Sequence, residues 1–154
     1  MKKIINIIIL ILWMIMIFFF SSQGGKESGS LSTGIIEYTV KTYYGVTGAD
    51  VTKEKLENAV TSFSKVIRKT AHFLEYLVLG LLILNVIKDY RIIGYKELMI
   101  TLALCCLYAS SDELHQIYVP GRSGEVKDVI LDTFGSLTGI IIYKSFRKKT
   151  IRGS

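Results

Sequence analysis

Two acids, a histidine, an amide and an arginine occupy the eleven positions from Asp112 to Arg122: Asp112, Glu113, His115, Gln116 and Arg122. This stretch directly follows a strongly apolar run. Similar groups stand at two other places. Arg68, Lys69, His72 and Glu75 open one apolar run, and Asp128 and Asp132 open another. Ionisable groups beside apolar runs are costly in a membrane and mark functional positions there. Three chemistries fit the set. Arginines can hold a lipid phosphate while a histidine with a carboxylate partner acts as base or nucleophile. Acids and histidines can hold a divalent cation, although no HExxH-type string is present. The charges can also neutralise one another and pin helices together. The residues alone leave all three open.

The elements that position these groups follow from hydropathy. The chain has 154 residues, half of them hydrophobic, with one proline. Long Ile- and Leu-rich runs favour an all-α integral membrane bundle over short alternating strands. Four transmembrane helices are predicted at about 4–20, 69–87, 98–118 and 126–146, in a single membrane domain spanning 1–154. The first run is longer than a signal-peptide core, and Ser21-Ser22-Gln23 is a poor cleavage site, so it reads as an uncleaved span. The external segment 21–68 is rich in glycine and serine at its start. Helical spacing suggests a short interfacial helix at 31–44. An additional amphipathic helix is predicted at 52–67, with Leu56, Val60, Phe63 and Ile67 on one stripe. Pro120-Gly121-Arg122-Ser123-Gly124 reads as a turn. Cys105 and Cys106 are neighbours in an apolar run and read as packing residues.

Charge sets the orientation. With both termini cytoplasmic, residues 1–3, 88–97 and 144–154 hold 10 of the 19 lysines and arginines in 24 positions. The polar groups then gather on the outer side. The net charge of +6 serves this asymmetry and does not argue for a nucleic-acid partner.

Spacing also sorts the faces. Arg68, His72 and Glu75 lie at i, i+4 and i+7 on one face. Asp128, Asp132, Gly135 and Gly139 form one stripe, whose glycines allow close helix approach and so turn the aspartates inward. On the third span, Asp112, His115 and Gln116 are the expected inward set, with Glu113 beside them.

The strings Phe20-Ser21-Ser22-Gln23, Lys69-x-x-His72-Phe73-x-x-Tyr76, Ser111-Asp112-Glu113-x-His115-Gln116-x-x-x-Pro120-Gly121-Arg122 and Asp128-x-x-x-Asp132-x-x-Gly135 resemble the VanZ-like family over about 20–143. The resemblance implies a small multi-pass protein of the bacterial cell membrane. It also implies a polar signature of His72, Asp112, Glu113, His115, Gln116, Arg122 and Asp128. The family takes its name from an accessory that lowers susceptibility to the glycopeptide antibiotic teicoplanin. The resemblance thereby implies, as an expectation, enzymes acting on lipid head groups or lipid-linked cell-wall intermediates.

The resulting expectation is an outward-facing pocket that modifies or binds lipid head groups or lipid-linked cell-envelope precursors. As a hydrolase or transferase, it would use His72 or His115 as base or nucleophile, oriented by Glu75 and Asp112, with Asp128 in the catalytic set. Arg68 and Arg122 would hold phosphate, with Glu113, Gln116 and Asp132 completing the substrate site. The alternative is a non-enzymatic factor that binds lipid or a partner protein and changes drug access. The sequence names no cofactor, metal or oligomeric state.

Overall fold

The computed structural model describes residues 1–23, 34, 38–46 and 52–152, and all regular structure among them is helical. Four long helices dominate: α1 (Lys2–Ser21), α2 (Lys53–Asp89), α3 (Tyr95–Gln116) and α4 (Val126–Arg152). Backbone at 38–46 is also helical. Residues 31–33 and 35–37 of the predicted 31–44 helix, and most of the glycine- and serine-rich segment before it, lie outside the described residues.

Among the described residues, three helices are long and apolar enough to cross a membrane: α1, α2 and the Val126–Phe146 part of α4. The predicted third span is helical but does not join them. Lys96, Glu97, Asp112 and Glu113 lower the apolarity of α3. The amphipathic helix predicted at 52–67 is not a separate element. It runs without a break into the following apolar run, making one helix of 37 residues. Nothing between them stops a helix, since α2 has no proline and its first glycine is Gly80. At 1.5 Å per residue α2 is roughly 55 Å long, well beyond the roughly 30 Å of a bilayer's hydrocarbon.

Contacts at the two ends show that consecutive helices alternate in direction. At one end the Asn6 amide donates to Asp89 at 2.7 Å, and Lys3 lies over the Tyr90 ring. The same end holds Glu97, buried, with Lys88 at 3.8 Å and Lys144 at 3.4 Å. The Lys88 ammonium also sits 3.5 Å from the centre of the Tyr143 ring. At the other end Phe18 of α1 meets His115 of α3.

The core follows from helical periodicity. Tyr76, Leu79, Ile83 and Ile87 form one stripe of α2 and pack on Ile17, Cys105 and Ala109. The most extensive contact is between α2 and α4, where glycines replace side chains. A Cβ on Gly135 would lie 2.5 Å from the Phe73 carbonyl oxygen, and one on Gly139 would lie 2.5 Å from that of Leu77. The Ser136 hydroxyl donates to the Tyr76 carbonyl at 3.0 Å in the same seam. Outward-facing positions carry large apolar side chains such as Leu12, Phe19, Leu74, Leu107 and Phe134. Such a surface is costly in water and suited to lipid.

Candidate functional site

The continuous α2 places Lys65, Arg68, Lys69 and His72 at i, i+3, i+4 and i+7, so all four share a face. The first turns of α4 present Asp128, Leu131 and Asp132 to that face, and the last turn of α3 adds Glu113 and Gln116. A cavity of about 350 Å³ lies between them. It falls within the range of roughly 300–1,000 Å³ common to small-molecule sites.

The connection between α3 and α4 closes the cavity, and its local chemistry explains how. The Arg122 N–H donates to the Val119 carbonyl at 3.1 Å. Pro120 and Gly121 are the central residues of this turn, and Gly121 has φ 79°. That is a type II turn, with proline where φ is negative and glycine where it must be positive. Gly124 then lies so close to α3 that a Cβ there would be 2.7 Å from the Glu113 carbonyl oxygen. The approach lets the Glu125 N–H donate to the Glu113 carboxylate at 2.8 Å. The loop is thereby folded back, and Arg122, Ser123 and Glu125 join the cavity wall.

The charges in the wall are unequally satisfied. The Lys69 ammonium donates to Asp128 and lies 3.8 Å from Glu125. Gln116 donates to one Asp112 oxygen at 3.2 Å, while the other Asp112 oxygen is buried without a hydrogen-bond partner. Asp132 is 1 % exposed, and neither of its carboxylate oxygens has a hydrogen-bond partner. His72 Nδ1 is 3.8 Å from Asp132, beyond hydrogen-bond reach. Arg122 Nε and Nη1 are shielded from solvent and likewise lack an acceptor. Burial, then the neighbouring Arg68 charge, hold the Arg122 guanidinium below its ordinary pKa, against the pull of Asp112, Glu113 and Glu75.

Most of the predicted residues converge. From α2 come Arg68 and His72, from α3 Glu113 and Gln116, from the loop Arg122, and from α4 Asp128 and Asp132. Three do not line the cavity. Glu75 lies a turn beyond His72 at the level of α1, where its carbonyl accepts the Trp13 indole N–H at 3.0 Å. Asp112 sits a turn deeper than Gln116, whose amide donates to it. His115 turns to α1, its ring centroid 4.3 Å from that of Phe18. The rotation of α3 thus corrects the expected inward set: Glu113 takes the place given to His115.

Sequence reasoning left out Lys65, Lys69, Ser123 and Glu125 as site residues. The spacing of Lys65 and Lys69 with Arg68 and His72 was a usable signal, obscured by dividing α2 in two. Glu125 carried a weaker one, an acid just ahead of a helix start. Among the described residues, no three His, Cys, Asp or Glu side chains are grouped as metal ligands would be.

The model of the VanZ/LLP1 family matches residues 6–147, a range that contains every wall residue of the cavity. The chain belongs to the VanZ/LLP1 family. Comparison with curated proteins and with solved structures finds no match. This VanZ-family membrane protein therefore carries its polar signature in two layers. Five of the signature residues, His72, Glu113, Gln116, Arg122 and Asp128, line the cavity. Asp112 and His115 lie behind it.

Proposed function

We propose that this VanZ-family protein crosses the membrane four times with both termini cytoplasmic and binds a phosphate-bearing lipid head group in its outward-facing cavity. The partner is a membrane lipid or a lipid-linked cell-envelope intermediate. The orientation rests on the lysine and arginine asymmetry, which puts the Glu97 cluster inside and the cavity outside. The fourth crossing rests on the two faces of α3. Its acids Glu97, Asp112 and Glu113 are buried in the bundle, whereas Leu104, Leu107 and Leu114 are exposed. The charges that lower its apolarity are thus withdrawn from lipid by packing.

The observation that carries the reading is Arg122. Two of its guanidinium nitrogens sit in the cavity wall, sealed from water and with no protein acceptor. An unpaired buried donor costs free energy, and a phosphate oxygen would satisfy it with a charge-assisted bond. In the enzymatic form, His72 takes the proton of a water or hydroxyl that attacks the phosphorus, the bond from phosphorus to the leaving oxygen breaks, and His72 returns the proton to that oxygen so that it departs as the alcohol. Lowered teicoplanin susceptibility would then be a consequence of altered envelope lipid.

The test uses the full chain in lipid nanodiscs and measures binding of fluorescent phosphatidylglycerol. Arg122→Gln should weaken binding by roughly tenfold or more, the worth of one charge-assisted hydrogen bond. Arg91→Gln, at the opposite end of the bundle, should leave it unchanged. Equal binding by wild type and Arg122→Gln would overturn the reading. Head-group release that stops in His72→Gln, with binding intact, identifies an enzyme.

A further inference from the structure

The cavity is not simply cationic. Its wall holds four basic and four acidic side chains. Half of these charges already have partners. Lys69 is taken by Asp128 and Glu125, and Glu113 by the Glu125 N–H. Lys65 and Arg68 are also unpaired but are not buried, and two groups of opposite sign remain with buried, unpartnered atoms. Arg122 offers unpartnered nitrogens, and Asp132, 1 % exposed, offers two unpartnered oxygens. Both line the same cavity and they form no ion pair with each other.

A simple anion would satisfy Arg122 but would be brought near a buried carboxylate. A simple cation would satisfy Asp132 and leave the arginine donors empty. One ligand carrying both charges meets both needs. A primary ammonium suits the acid better than a quaternary one, because its N–H groups can donate to the carboxylate oxygens. Quaternary ammonium groups are typically held by aromatic faces, and no Phe, Tyr or Trp is among the described wall residues.

We propose that the cavity takes a zwitterionic phosphate ester, with its phosphate on Arg122 and its primary ammonium on Asp132, as in an ethanolamine phospholipid head group. This rests on the reading of the cavity as a phosphate site and narrows its ligand class. Asp132 is then a specificity residue, and His72, 3.8 Å from it, lies beside the ammonium end of the ligand.

The experiment compares three short-chain lipids, dioctanoyl phosphatidylethanolamine, phosphatidylglycerol and phosphatidylcholine, binding to the full chain in detergent micelles. The wild type should prefer the ethanolamine lipid by roughly tenfold over both others. Asp132→Asn should remove that preference, weakening ethanolamine-lipid binding relative to glycerol-lipid binding by roughly tenfold. Arg122→Gln should weaken all three. Trp13 fluorescence checks folding, and if Asp132→Asn does not fold, the wild-type ranking decides by itself. Equal binding of the three lipids, or a preference for glycerol or choline, overturns the zwitterion. If that binding still depends on Arg122, the broader phosphate-site reading stands. No binding of any lipid overturns both. Glycerophosphoethanolamine, lacking acyl chains, is the last arm. Binding as tight as the lipid's supports the same two-point site with a water-soluble ligand, and weaker binding supports a lipid one.

Discussion

Gly135→Ala should destabilise the protein although alanine is the better helix former. The new Cβ would stand 2.5 Å from the Phe73 carbonyl oxygen and 3.3 Å from the Phe73 ring. Ordinary contact begins at 3.4 Å, so α2 and α4 must part by about 0.9 Å at this level. The obstructing atom is backbone and cannot turn aside. Overpacking of this kind costs roughly 1–3 kcal/mol. The gain in helix propensity offsets about 1 kcal/mol of it. A clash against backbone belongs near the upper end, so the net loss should be about 1–2 kcal/mol, or roughly a 5- to 30-fold fall in the folded-to-unfolded ratio. Reversible unfolding by sodium dodecyl sulfate in mixed micelles measures this, with Trp13, the single tryptophan, as reporter. Gly45→Ala is the control, because a Cβ there meets nothing within 4 Å, and it should show no loss. The change should also reach the cavity. Gly135 is one turn from Asp132 and Phe73 adjoins His72, so the 3.8 Å separation of that pair should widen. Gly135→Ala as stable as wild type would refute the close-packed seam and the placement of Asp132 that depends on it.

Two further predictions concern the ends of the bundle. Glu97→Ala leaves Lys88 without its carboxylate at the end of the bundle away from the cavity and should cost roughly 3–5 kcal/mol, whereas Lys144→Ala, on a side chain 38 % exposed, should cost under about 1 kcal/mol; the same unfolding assay compares them. Glu113→Ala frees the Glu125 N–H and should loosen the loop at 117–125, seen as faster limited proteolysis there and a loss of about 1–3 kcal/mol, while Glu113→Gln, which keeps an acceptor oxygen, should lose less.

Periodicity within one helix carried a large part of this protein. The apolar runs marked out α1, α3 and α4, and the string ending in Pro120-Gly121-Arg122 announced a turn that the positive φ of Gly121 requires. The stripe of Asp128, Asp132, Gly135 and Gly139 implied that small residues and acids face the bundle together, and the close approach of Gly135 to Phe73 has that form. Such inferences succeed because spacing sets the angle between side chains on the same cylinder. Spacing does not say how far each cylinder is rotated against its neighbours. That rotation, decided by packing, put Glu113 in the cavity and turned His115 to Phe18, the reverse of the order that spacing suggested. Tertiary structure also decided which charges found partners. Lys69 met Asp128 across two helices, and Glu125 was brought to Glu113 by a loop that folds back because Gly124 has no side chain. Arg122 and Asp132 were left without partners in one cavity, a property of the assembled helices and of no single stretch of chain.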